Sequence, residues 1–232
     1  MPALSLIIPA YNEERTIVSS IGKLADYIKK NKIDCELLIV NDCSSDGTAA
    51  VLASAKLPSY ARVITTAKRE GRGASISNAI RDSRGSIVLY LDADLSFELD
   101  IMQKLVQAID DGADIATGSR LLQSSKAKRS FLRAFLSSAY NSLVRVVLGS
   151  RIHDHQCGCK AFRRSAVLPL LQQVRANHWF WDTELLVLAQ KKVLKVVEVP
   201  LTWWEGEYTT VNVLRDSLTL FQNILALKFR AS

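Results

Sequence analysis

Five short apolar runs, each closed by a polar turn, punctuate the first half of the chain. Leu4–Ile8 closed by Pro9, Glu36–Asn41, Arg62–Thr66, Ser86–Leu91 and Asp114–Gly118 read as buried strands. Helical signals fill the intervals. Asn12 would cap a helix over Glu13–Lys30, with acidic residues in its first turn and lysines in its last. A short helix follows the turn-rich Asp42–Gly47. Another opens at Gly71-Arg72-Gly73 and ends near Gly85, and a fourth spans Phe97–Asp111. Strands alternating with such helices predict an α/β fold whose mostly parallel sheet is covered on both faces.

Beyond Gly118 the pattern changes. A polar, basic connector leads to a long helix over Ser130–Leu148, where Leu132, Phe135, Leu136, Ala139, Tyr140, Leu143 and Val147 form an apolar stripe. Arg133, Ser137, Asn141 and Arg145 repeat every four residues on another face. A strand at Lys160–Arg163, a helix at Asp182–Lys192 and a strand at Lys195–Val199 follow. The tail from Val211 to Phe229 is amphipathic again, through Val211, Leu214, Leu218, Phe221 and Leu225. Both amphipathic helices suit a core, a subunit interface or a membrane surface. The expected organisation is one domain over 1–232 in two halves, 1–120 and 121–232.

The chemistry gathers at one rim. In a parallel sheet the loops after the strands collect at the carboxyl edge, where ligands bind. Here those loops are Pro9–Glu13, Asn41-Asp42, Lys68–Gly73, Asp92-Ala93-Asp94 and Gly118-Ser119-Arg120. Asp92 and Asp94, two residues apart on an extended segment, point the same way and can face one hard cation shared with substrate phosphates. Tyr11 offers a ring to a base, Glu13 and Asp42 offer acceptors to base or ribose, and Arg72 and Arg120 offer donors to phosphate oxygens. A dinucleotide site is disfavoured, because PAYNEE after the first strand carries none of the required glycines, and no P-loop lysine motif is present.

Composition adds three constraints. With 48% hydrophobic residues among 232, the chain can build a substantial core, and disorder is excluded as a general reading. The net charge of +7 is unevenly placed: between Asp114 and Asp154 no acidic residue interrupts Arg120, Lys126, Lys128, Arg129, Arg133, Arg145 and Arg151. That stretch suits acidic lipid headgroups, phosphorylated substrates or nucleic acid, but no nucleic-acid recognition motif accompanies it. Cys35, Cys43, Cys157 and Cys159 form no disulfide framework, and Cys157-Gly158-Cys159 near His153 and His155 is too crowded for a convincing zinc site. With no 18-residue apolar run and no leader-like start, a cytoplasmic protein, peripheral at a membrane face, is expected.

Together the motifs resemble a known family. IPAYNE at Ile8–Glu13, VNDCSSDG at Val40–Gly47, GRG, DADLS and GSR follow the order and spacing of family 2 glycosyltransferases. HDHQCGCKAF at His153–Phe162 and FWDTELL at Phe180–Leu186 are similar to the dolichyl-phosphate glucose synthases and the related mannose synthases. The resemblance implies a Rossmann-like GT-A domain that transfers a sugar, with inversion, from a nucleotide donor to a polyprenyl phosphate, with residues 1–120 as the nucleotide-sugar-binding half and 121–232 as the acceptor half. By position it implies that Pro9, Tyr11, Glu13 and Asp42 contact the nucleoside, and that Asp92 and Asp94 hold Mg2+ or Mn2+ against the diphosphate. It also places Arg120, Arg133 and Ser137 at the acceptor phosphate. UDP-glucose is the donor it favours.

Asp182 and Glu184 stand where relatives with hydroxyl acceptors place a base. Here they are expected to orient the sugar or the arginines, or else to serve as a helix cap and first-turn carboxylate. The chain departs from the family at Ser96, where Gln is usual, and at Cys159, where an aromatic is usual. It also lacks the Gly-Ser-Lys of the tail, for which Lys195 or Arg215 would have to substitute. Trp203, Trp204 and Tyr208 suit stacking on sugar or lipid, or packing. A GDP-mannose donor, a saccharide or protein hydroxyl acceptor and a nucleic-acid-binding module are the alternatives; the oligomeric state is left open.

Overall fold

The computed structural model describes residues 2–128, 130–205 and 213–230, without the side chains of residues 213–218. Arg129, Tyr208 and Val211 lie outside the described residues, as do the side chains of Leu214, Arg215 and Leu218. Nine strands are described: β1 (Leu4–Ala10), β2 (Cys35–Asn41), β3 (Ala61–Thr65), β4 (Ile87–Leu91), β5 (Ile115–Ser119), β6 (Lys126–Lys128), β7 (Cys159–Arg163), β8 (Val196–Pro200) and β9 (Thr202–Trp204). Eight helices accompany them: α1 (Ile17–Lys30), α2 (Thr48–Ser54), α3 (Arg72–Asp82), α4 (Ile101–Asp110), α5 (Phe131–Leu148), α6 (Arg164–Leu170), α7 (Trp181–Lys191) and α8 (Val213–Arg230).

Seven strands form one sheet in the order β3-β2-β1-β4-β7-β5-β8, parallel except for β7, which runs antiparallel between β4 and β5. β7 and β8 of the second half interleave with β4 and β5 of the first, so the sheet unites the two halves. After β3 the chain returns to the other side of β1, which puts the topological switch point between β1 and β4. The ladder opens there. β1 pairs with β2 along its whole length, but its pairing with β4 stops at Ile7↔Tyr90. Pro9, which lacks an N–H, falls in the stretch paired only with β2.

Alternate residues of the strands enter two cores. Leu6, Ile8, Leu37, Ile39, Leu89 and Leu91 pack with α1 and α4 on one face. Ile7, Leu38, Val88, Tyr90 and Phe162 pack with Ile76 and Ile80 of α3 and Trp181 and Leu185 of α7 on the other. This is why the strands read as continuous apolar runs: both faces are covered. A third cluster joins α5, α7 and α8 through Val144, Leu148, Phe180, Val187, Ile224 and Leu227.

Three expectations are corrected. First, α1 begins at Ile17 and has no acidic residue in its first turn. Asn12 is not its cap: it adopts φ 58°, and its side chain pairs with Ser45 across the neighbouring loop. Second, residues 97–100 are not helical, and Phe97 instead bridges to Trp203. Third, the α5 stripe is reversed in its first half. Phe131 (88% exposed), Leu132 and Phe135 face outward, whereas Asn141 of the polar row is buried and accepts the backbone N–H of His155. The small parallel pair β6–β9 and helix α6 lacked sequence signals of their own.

Because Ile224 is fully buried in the cluster that docks α8, Ile224→Ala is expected to cost about 2–4 kcal/mol. A lowered urea midpoint with an unchanged far-UV spectrum would show it.

Candidate active site at the sheet switch point

β4 delivers Asp92 to the open end of the sheet. Its N–H donates to the Gly158 carbonyl at 2.8 Å, and the Gly158 backbone runs directly beneath the carboxylate. A Cβ on Gly158 would come within 1.7 Å of Asp92 Oδ2, so only glycine fits. Asp94 is turned by Ser96, whose hydroxyl donates to Asp94 Oδ2 at 2.6 Å. Ser96, the departure from the family pattern, therefore orients the second carboxylate through a side-chain hydrogen bond.

Arg72, at the start of α3, reaches both this turn and α7. Its Nε and Nη2 donate to Asp92 Oδ1, at 3.0 and 2.5 Å, and its Nη1 lies 2.8 Å from Asp182 Oδ2. A planar fork presents separate edges to two carboxylates in a fixed geometry, which a point-charge ammonium does not impose. Close packing places the fork: a Cβ on Gly73 would lie 2.3 Å from the Trp181 side chain, so α3 and α7 touch through that glycine.

Beneath Arg72 lies a buried polar network. Asp182 Oδ1 receives Lys160 Nζ at 2.8 Å and the Tyr90 hydroxyl. Lys160 also donates to Tyr90 Oη at 3.0 Å and to the Cys157 carbonyl at 2.6 Å. Burial pushes the Asp182 carboxyl up, but Lys160 and Arg72 outweigh it and hold the pKa below the ordinary value. The Tyr90 hydroxyl is pushed well above its usual range by burial and by Asp182. Asp182 is thus an ionised, fully bonded anchor and not a free base. Sequence reasoning missed Tyr90 and Lys160; the signal was a lysine in an otherwise apolar strand, CKAF.

The turn is anionic. Burial raises the Asp92 pKa, Arg72 opposes it, and Asp94 adds to it. Burial likewise raises Glu13, whose neighbours include Asp94 and Asp92. Glu13 therefore stands on the β1 side of the same groove, with Thr16 donating to its Oε2 at 2.5 Å. Tyr11 is half-buried, with the Arg69 guanidinium 3.8 Å above its ring. Asp42 differs from expectation. It is buried and accepts Thr66 Oγ1, Glu70 N and Gly71 N, so its carboxylate shapes the loop that carries Arg72.

Arg120, after β5, is held by Asp154, which takes its Nε, Nη2 and backbone N–H at 2.8–2.9 Å. Glu198 fixes that loop by accepting the N–H groups of His153 and Asp154. On α5, Arg133 Nη1 lies 2.8 Å from Glu205 Oε1, and Ser137 Oγ is buried with no hydrogen bond among the described residues. Glu184 stands apart from the groove. It accepts the Arg175 and Ala176 N–H groups and pairs with Arg230 of α8, so its contacts are those of a staple and not of a sugar ligand.

The donor set suits a hard cation. Asp92 and Asp94 supply oxygens only, and among the described residues no group of three or more His, Cys, Asp or Glu is placed to hold a metal ion by itself. An ion there would complete its shell from a diphosphate and water, as Mg2+ and Mn2+ do. The nearby soft and nitrogen donors are engaged elsewhere. Cys157 and Cys159 pair at 3.7 Å, and His155 is held between Ser150 Oγ and Asn141 Oδ1.

Comparison with known proteins is consistent with this geometry. Residues 5–170 match the family model described as Glycosyl transferase family 2. The chain is 36% identical over 228 residues to glycosyltransferase AglD of Haloferax volcanii, covering 96% of this chain but only 36% of that protein. It is 31% identical over 244 residues to the dolichyl-phosphate beta-glucosyltransferase of Mus musculus, covering 98% of this chain and 75% of the relative. The fold is shared with glucosyl-3-phosphoglycerate synthase from Mycobacterium tuberculosis, solved in complex with Mn2+, uridine diphosphate and glucosyl-3-phosphoglycerate. That match has a TM-score of 0.66 and 20% identity, covering 97% of this chain and 78% of the other.

The site's loops also set a pH dependence. Burial pushes the His155 pKa down to about 4. The unfolded chain takes up this proton near pH 6.5 and the folded chain resists it, so the stability His155 contributes is present above pH 6.5 and lost as pH falls to about 4. The expected slope approaches ~1.4 kcal/mol per pH unit in that window. His155→Gln should flatten it relative to the parent in urea titrations at pH 4–7.

Proposed function

The chain belongs to glycosyl transferase family 2, and from that premise we propose that it transfers glucose from UDP-glucose to the phosphate of a dolichol-type polyprenol, with inversion and with Mg2+ or Mn2+. The observation that carries this reading is the opening between β1 and β4, where Asp92, Asp94 and the forked Arg72 come together with Arg120 near Asp92. The dolichyl-phosphate glucosyltransferase likeness over nearly the whole chain supports the acceptor class and the sugar.

In this reading Pro9, Tyr11 and Glu13 line the nucleoside end, with Asp42 shaping the loop beside them. Asp92 and Asp94 hold the divalent ion, which would neutralise charge growing on the leaving diphosphate. Arg72 serves the same diphosphate from α3. Arg120, Arg133 and Ser137 bind the acceptor phosphate; the unpartnered, buried Ser137 Oγ supports this, one helical turn from Arg133. A phosphate oxygen is already anionic, so no strong base is required. The arginines instead reduce repulsion between two anions and align them. A hydroxyl acceptor would need such a base, and the saturated bonding of Asp182 argues against that alternative.

The exposed Phe131, Leu132 and Phe135 lie beside exposed Lys126 and Lys128. Apolar side chains flanked by cations suit peripheral binding to an anionic membrane surface, on the cytoplasmic side in this reading. Among the described residues no helix is long and apolar enough to cross a membrane.

Purified protein given Mn2+, UDP-glucose or GDP-mannose, and a short polyprenyl phosphate should yield a lipid-linked hexose from UDP-glucose. No lipid-linked sugar with either donor would overturn the proposal. Asp92→Ala or Asp94→Ala should lower turnover ~10²–10³-fold, the scale of losing a group that stabilises transition-state charge. Arg133→Ala should raise the acceptor KM while leaving the donor KM unchanged. Asp182→Asn should reduce transfer without abolishing it; complete loss with intact donor binding would favour a hydroxyl acceptor.

A further inference from the structure

The Arg72 guanidinium occupies the same Asp92 carboxylate that the proposed divalent ion would use. Its Nε and Nη2 converge on Oδ1, at 3.0 and 2.5 Å, although 35% of the Asp92 side chain remains exposed to the groove. The opposite edge of the guanidinium is anchored on Asp182, which Lys160 and Tyr90 hold from below. The arginine is therefore gripped between a fixed carboxylate on α7 and the open carboxylate of the β4 turn.

We propose that Arg72 guards the cation site: it competes with the divalent ion for Asp92 until a nucleoside diphosphate draws its guanidinium away, so that ion and diphosphate bind synergistically. The charges around the groove support the exchange. Asp92, Asp94, Glu13 and Asp182 surround the groove; Arg120 also lies near Asp92 but is bonded to Asp154, so among the described residues Arg72 is the cation that bonds the Asp92 carboxylate. An ion arriving alone must displace that cation, whereas an ion arriving with a diphosphate offers Arg72 a new anion of matching, bidentate geometry. Asp182 retains its hold on Nη1, so the exchange needs only the Asp92-facing edge to change partner. This inference rests on the proposed donor site and specifies how that site is loaded.

The test measures Mn2+ binding directly, by the loss of the free-ion electron paramagnetic resonance signal, on the full chain with and without UDP. In the parent, UDP should tighten Mn2+ about tenfold or more, and by linkage Mn2+ should tighten UDP by the same factor. Arg72→Gln should bind Mn2+ alone about tenfold more tightly than the parent and narrow the ratio between the two conditions. Arg72→Lys keeps the charge but cannot fork, and should fall between; it decides the matter if Arg72→Gln does not fold. Unchanged or weaker Mn2+ binding by the folded variants in the absence of UDP, with UDP-dependent binding intact, overturns the guard while leaving the donor site standing. No Mn2+ binding by any protein even with UDP overturns the metal site, and the guard with it.

Discussion

Arg72 joins three parts of the chain at the rim of the groove. It starts α3, it meets Asp92 twenty residues later at the end of β4, and it meets Asp182 110 residues away on α7. Loops after parallel strands share a rim for reasons of topology alone; their side chains acquire a fixed mutual geometry only where something spans them. Here the guanidinium plane does so. It works because the glycine contact of Gly73 with Trp181 brings α3 against α7, and because Asp42 holds the Glu70 and Gly71 amides that lead into the helix.

Underneath, the chain buries Lys160 and Tyr90 of the sheet against Asp182 of α7, in otherwise apolar surroundings. Buried ion pairs are weak devices for stability: an apolar core of the same volume commonly does as well or better. What such a network can supply is definition, provided that every member is satisfied. Both oxygens of Asp182 are occupied, by Lys160 and Tyr90 on one side and Arg72 on the other. Removing a partner would leave a charge stranded, so the arrangement has few competing alternatives. The rigid element of this site is accordingly its floor, and the freedom to exchange partners is confined to the rim above it.

The sequence made the framework legible because both faces of the sheet are buried. Continuous apolar runs marked β1 to β5 within a residue or two, and the loops after them marked the rim. Physics acting across the chain was not legible. The start of α1 was misplaced because Asn12 has a better partner in Ser45 than in the helix. The periodicity of α5 was right, but polarity misidentified its inner face, since Asn141 is needed inside to hold His155. The Arg120–Asp154 and Lys160–Asp182 pairs could not be anticipated, because neither local propensity nor spacing says which charges will meet. Type and resemblance give Asp42 to the nucleoside, whereas its amide bonds hold the loop before α3; Glu184, read either as orienting the sugar or arginines or as a first-turn carboxylate, stands in the first turn of α7 and pairs with Arg230.

Every arginine proposed to act on a phosphate already has a carboxylate: Arg72 has Asp92, Arg120 has Asp154 and Arg133 has Glu205. In the proposed reaction, donor and acceptor would not meet bare charge; they would exchange with, or add to, existing pairs. Affinity then becomes a difference between two well-made interactions, smaller than either. Such a difference penalises any anion that cannot match the fork geometry, because it must displace a carboxylate while returning fewer bonds. The three pairs differ in how readily they would yield. Asp154 is wholly buried and bonds the Arg120 backbone as well, while Glu205 and Asp92 are open to solvent. Arg120 is thus placed to act without releasing its partner, and Arg72 and Arg133 to act by changing theirs, one at each end of the transfer.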